Sequence, residues 1–201
     1  MTASSTTSPD GTLLVVSGPS GVGKSSVVDG VLERSGAAFS VSATTRDARP
    51  GEKDGEDYFF VTEARFDELV ASDELLEWAG YGGRRYGTPR APVVDRLAAG
   101  QDVLLDIENE GAHQVRAAYP GAVLLFILPP SLEELERRLR ERGDTSQEDV
   151  DRRLGLASQQ IEDATETFDH LVVNDDLQSA ISQVLSILKG PDAMAFRKSE
   201  E

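Results

Sequence analysis

Cysteine is absent from the 201-residue sequence, and the rest of its reactive inventory is thin, with two histidines, two methionines and one tryptophan. Disulfides, thiolate metal sites and cysteine nucleophiles are thereby excluded, and the composition suits a reducing compartment such as the cytoplasm. Long apolar runs are missing as well. The longest, residues 122–128, falls far short of the ~20 residues that span a bilayer, so no membrane association is expected. Residues 1–10 are rich in Ser and Thr, without the basic start or apolar centre of a secretion signal, and are expected to form a disordered tail. Basic side chains are the scarcer charge: 20 Lys and Arg against 36 Asp and Glu give a formal net charge of −16. A field of that sign repels a phosphate backbone and argues against nucleic-acid binding, yet local arginines can still hold a small anion.

What is present suits one domain with a sizeable core, 39% of residues being hydrophobic. Strand-like apolar runs at 12–17, 39–42, 102–107, 123–128 and 171–173 alternate with stretches of helical spacing, which predicts an α/β fold with a parallel sheet. Leu132, Leu135 and Leu139 form one such helical stripe, with Ser131 as its cap and Gly143 as its stop. Leu177, Ile181, Val184, Leu185 and Leu188 form another.

Directly after the first run stands Gly18-Pro19-Ser20-Gly21-Val22-Gly23-Lys24-Ser25, followed by Ser26. This is a complete P-loop between a strand and a helix. Its glycines let backbone N–H groups curl around phosphate oxygens, and the helix N-terminus adds its positive end. Lys24 is expected to supply a mobile charge for the β- and γ-phosphates of a nucleotide, and the Ser25 hydroxyl is placed to ligate the Mg²⁺ that accompanies it.

Residues 42–92 break the alternation and hold three of the four tyrosines together with Trp78. Arg46 and Arg49 flank a turn ending in Pro50-Gly51, so that two planar guanidinium groups can converge on one phosphate. Tyr58 and Tyr86 add hydroxyl donors. Further on, Asp106 and Glu108 end a strand-like run and are expected to share a face by alternation. His113 and His170 have no Ser or Cys beside them and are expected to be structural or surface residues.

Taken together, Ser42, Thr44-Thr45-Arg46, Arg49-Pro50-Gly51-Glu52, Gly55-x-x-Tyr58, Leu76-Glu77-Trp78 and Tyr86-Gly87-Thr88 resemble the guanylate kinase family in order and spacing. The resemblance covers about residues 11–189. It implies a P-loop nucleoside monophosphate kinase fold with an inserted GMP-binding subdomain and a mobile lid, transferring the γ-phosphoryl group of ATP to GMP. The core would comprise 11–41, 93–142 and 165–189, the insert 42–92 and the lid 143–164, with tails at 1–10 and 190–201. By the same resemblance Arg46, Arg49, Tyr58 and Tyr86 would hold the GMP phosphate, with Glu52 orienting the arginines. Ser42, Thr88 and Glu77 would read guanine, and Glu108 stands where the family usually has an Asp that contacts the base. Asp106 would lie near Mg²⁺, Asn174 would touch adenine, and Arg138, Arg142 and Arg153 would be lid arginines acting beside Lys24. Two other readings stay open: a kinase of ribose 1,5-bisphosphate, and a non-catalytic module that binds phosphopeptides. The oligomeric state is left open.

Overall fold

An uninterrupted apolar run makes the first strand, β1 (Leu13–Ser17), of which every residue is buried. Such a run, without alternation, marks a strand covered on both faces. The computed structural model describes residues 11–141 and 146–190. Arg142, Gly143 and the tails before residue 11 and after residue 190 lie outside the described residues. The helix α1 (Lys24–Ser35) follows β1 through the glycine-rich loop, and the short β2 (Ala38–Phe39) returns to the sheet. β3 (Ala43–Thr44), β4 (Phe59–Phe60), α2 (Glu63–Ala71), β5 (Leu75–Tyr81) and β6 (Arg84–Pro89) then build a separate layer. The chain continues through α3 (Arg90–Ala98), β7 (Val103–Asp106), α4 (Asn109–Ala118), β8 (Val123–Leu128), α5 (Leu132–Glu141), α6 (Gln147–Thr167), β9 (His170–Val173) and α7 (Leu177–Leu188).

Five strands form a wholly parallel sheet in the order β2-β7-β1-β8-β9. Alternate residues of its strands enter different cores, as the two-residue period of a strand requires. Leu13, Val15, Val103, Leu105, Leu124 and Phe126 pack with α3, α4 and the end of α6 on one face. Leu14, Val16, Leu104, Leu125, Ile127 and Val172 pack with α1 and α7 on the other. Burying each such side chain contributes about 1.5–3 kcal/mol, so the two layers hold the sheet's carboxyl ends firmly in place. Ligands bind outside those ends in sheets of this kind.

The second sheet, in the order β4-β3-β6-β5, closes over Ala43, Phe66, Leu69 and Leu75. The run expected as one strand at 39–42 is divided here. Ser40 N donates to Leu104 O, the last bond to the parallel sheet, and the chain then crosses over so that Ser42 O accepts from Phe59 N in the second sheet. The helices α5 and α6 share a small core of Leu135, Leu139, Val150 and Ala157. Ser131 caps α5 as the sequence suggests, accepting from Glu134 N at 3.2 Å. Among the described residues, no helix is long and apolar enough to cross a membrane.

Candidate active site

The glycine-rich loop joins β1 to α1 at the middle of the parallel sheet. Gly21 and Gly23 both have positive φ, 90° and 89°, a region closed to most side chains. Space forbids side chains there as well: a Cβ would stand 2.7 Å from Leu139 Cδ2 at Gly21 and 2.6 Å from Asn174 Nδ2 at Gly23. The loop encloses a hollow of about 240 Å³ lined by Gly18, Pro19, Ser20, Gly21, Gly23, Lys24, Ser25, Ser26 and Glu108. Its Val22 carbonyl is held from outside, accepting from Asn174 Nδ2 at 2.8 Å and from Arg138 Nη1 at 3.3 Å. Arg138 donates further to Asn174 O, with both terminal nitrogens at 3.1 Å, and its Nε donates to Glu134 Oε1 at 2.8 Å. Both residues thus buttress the loop and line neither hollow described here. Arg137 and Arg138 together hold the Glu134 carboxyl down to about 2.

A second cavity, of about 430 Å³, opens between the two sheets. Lys24 and Asp106 reach it from the core, paired with each other as an ion pair. Ser42, Tyr58, Glu77 and Tyr86 reach it from the second sheet, and Ile107, Glu108 and Gly111 form its floor. The expected sharing of a face by Asp106 and Glu108 has a different origin from strand alternation, because β7 stops at Asp106 and Glu108 is the residue preceding α4. Both still line this cavity. Glu108 accepts from Gln160 Nε2 of α6 at 3.0 Å, so its carboxylate is turned toward that helix.

On the β5 side of this cavity, Glu77 is 6% exposed and accepts from the Thr88 hydroxyl at 2.7 Å. Burial pushes its carboxyl above the ordinary range, and the Thr88 hydroxyl and backbone N–H only partly oppose this. Beside Tyr58, but not among the residues lining this cavity, Arg46 and Glu52 form a two-pronged pair, both N···O distances being 2.9 Å. The Arg46 guanidinium lies over Tyr58, 5.3 Å from the ring centroid, and Tyr58 meets Tyr86 edge-on at 6.0 Å. Glu52 also accepts from Arg49 N at 2.7 Å, and these bonds, with Arg46 first, hold its carboxyl below the usual range. The Arg49 side chain is exposed, and Arg153 is half-buried on α6.

Two features of α4 escape sequence reasoning. Gln114 bonds the backbone of Trp78 twice, and Gly111 faces Glu77 with no side chain of its own. An isolated glycine within a helical stretch was the available signal for Gly111. Nothing local marks Gln114. A polar chain also joins β1, α4 and α6. Ser17 Oγ donates to Asn109 Oδ1 at 2.9 Å, and Asn109 Nδ2 donates to Asp163 at 2.8 Å. His113 Nε2 lies 3.0 Å from the same carboxylate, a partner fifty residues away in the chain. His113 lies outside the residues lining the two hollows.

The family model described as "Guanylate kinase" matches residues 10–190. Among curated proteins, a guanylate kinase of Thermobifida fusca is 52% identical over 180 residues, covering 89% of this chain and 91% of that protein. A guanylate kinase of Thermus thermophilus is 50% identical over 190 residues, covering 94% and 86%. Among solved structures, a guanylate kinase from Anaplasma phagocytophilum superposes with a TM-score of 0.70 at 35% identity, covering 90% of this chain and 86% of the other.

Proposed function

From the premise that this chain belongs to the guanylate kinase family, we propose how its residues carry the family's reaction, transfer of the γ-phosphoryl group of ATP to GMP giving ADP and GDP. One observation carries the reading. The P-loop lysine and the buried Glu77 face a single cavity, together with Ser42, Tyr58 and Tyr86. A phosphate on the loop and a purine against Glu77 would therefore meet in the middle.

Guanine offers N1–H and a 2-amino group to Glu77, whereas the same edge of adenine offers neither, leaving a buried carboxylate with Thr88 alone as partner. Ser42 and Thr88 would complete base recognition. Arg46, Arg49, Tyr58 and Tyr86 would fix the GMP phosphate, with Glu52 holding Arg46 ready. A phosphate oxygen of GMP forms the new bond to the γ-phosphorus while the bond to the β–γ bridging oxygen breaks, the electron pair leaving with ADP. No protein base is needed, since the acceptor is largely dianionic near neutral pH. Catalysis is then orientation and charge compensation by Lys24 and the arginines, among which we place Arg138, Arg142 and Arg153. For Arg138 this requires exchange of its bonds to the P-loop buttress. Asn174 and the residues from Gly18 to Ser26 would hold ATP.

Ser25 lines the hollow of the loop and Asp106, paired with Lys24, lines the larger cavity; hydroxyl and carboxylate are hard oxygen donors of the kind that would hold Mg²⁺. When bound, Mg²⁺ supplies further charge compensation on the phosphates. We assign 11–41, 93–142 and 165–189 to the core, 42–92 to the GMP-binding insert and 143–164 to the lid, and we place the protein in the cytoplasm, where both substrates are made and used. An ADP-release assay with GMP, AMP, CMP and UMP tests the reading. GMP is expected to be strongly preferred, and preference for AMP would overturn the base-recognition scheme.

A further inference from the structure

Resting on that reading, we propose that Gly111 and Gln114 of α4 are specificity-determining positions, which set from the core where the base-reading carboxylate of Glu77 stands. Gly111 lies inside a helix, where glycine is disfavoured relative to alanine, and its φ is not among the positive ones. Conformational freedom therefore gives no reason for it. Space does. A Cβ at Gly111 would stand 2.8 Å from Glu77 Oε2, 3.3 Å from Glu77 Cδ and 3.2 Å from Ile107 Cδ1. A flexible exposed glutamate would simply swing aside. Glu77 has no such freedom, because it is buried and its other oxygen accepts from Thr88.

Gln114 lies one helical turn further on the same face. Its Oε1 accepts from Trp78 N at 3.0 Å and its Nε2 donates to Trp78 O at 3.1 Å. β5 is the last strand of its sheet, so this amide substitutes for a neighbouring strand beside the residue that follows Glu77. One helix face thus clears room for the carboxylate and fixes the height of the backbone that carries it. Glu77 belongs to the second sheet, but its position is governed by the core.

The test compares wild type, Gly111→Ala, Gln114→Leu, Glu77→Ala and the Gly111→Ala/Glu77→Ala pair. Steady-state kinetics are measured with GMP, with IMP, which lacks the 2-amino group, and with ATP, alongside thermal melting. Gly111→Ala is expected to melt somewhat below wild type, because crowding of the buried Glu77 by the new Cβ outweighs the helix propensity gained. Its KM for GMP should rise about tenfold and its preference for GMP over IMP should fall about tenfold, with KM for ATP changed less than about twofold. In the Glu77→Ala background the same substitution should change the preference no further, because it acts through Glu77. Gln114→Leu should lower the preference in the same direction, and it carries the test alone should Gly111→Ala fail to fold. An unchanged preference in either folded variant overturns the proposal, as does an undiminished effect without Glu77. A wild type inert toward GMP would refute the kinase reading itself, and the proposal with it.

Discussion

Two side chains in the central cavity carry opposite electrostatic burdens, and each gives an expected outcome. Lys24 faces Asp106, both of them partly exposed, so replacing the lysine leaves a carboxylate that water can still reach. Lys24→Met should therefore retain the fold, with melting shifted by only a few degrees, while phosphoryl transfer falls at least about a hundredfold in the ADP-release assay. Glu77 is the reverse case, a carboxylate whose pKa is raised by burial. Below the ordinary carboxyl range it is neutral whether the chain is folded or unfolded. As pH rises through its higher folded value, the buried charge appears and the stability it contributed is lost. Glu77→Gln should accordingly melt higher than wild type at neutral pH, with the gap closing as the pH is taken below the ordinary range, while GMP turnover drops. Residues with short-range signatures were legible from the chain alone: the lysine and glycines of the loop, and Arg46 with Glu52 six positions on. Gly111 and Gln114 were not, because what they do depends on a strand thirty-odd residues earlier that only tertiary packing brings to them.

Among the elements, β1, β7 and β8 were readable because their apolar runs are continuous, as burial on both faces demands, whereas the edge strands β2 and β9 are short and only partly buried. The second sheet was not legible as strands. β3 and β4 are two residues each, too short for any periodicity to register, and the run at 39–42 reads as one strand although it serves two sheets in turn. The junction of β1, α4 and α6 was also invisible, since its members are scattered along the chain. Its centre is Asn109, buried at the head of α4. Asn109→Ala would leave the wholly buried Ser17 hydroxyl without its acceptor and remove a donor from Asp163. A loss of about 1–3 kcal/mol is expected, read from the midpoint of urea unfolding, and a midpoint equal to that of wild type would show the junction to be inconsequential.

At the scale of the whole molecule, the net charge of −16 sets a repulsion that no single contact reveals. Arg46 with Glu52, Arg85 with Glu63 and Asp67, and Arg90 with Asp73 answer part of it locally, but acidic residues outnumber basic ones 36 to 20 over the sequence. Raising ionic strength from ~0.01 M to ~1 M shortens the screening length from about 30 Å to about 3 Å. Self-repulsion should weaken accordingly, and the melting temperature is expected to climb with added salt; a falling one would mean that the surface ion pairs outweigh the excess charge. One more consequence follows from how the phosphate loop is propped. Val22 leans on the amide of Asn174, 152 residues later, and on Arg138 in between. On the ribosome, the segment that bears the phosphate motif therefore emerges well before the residues that finish it. A nascent chain released before β9 would carry every residue of the motif and still lack a competent nucleotide cradle.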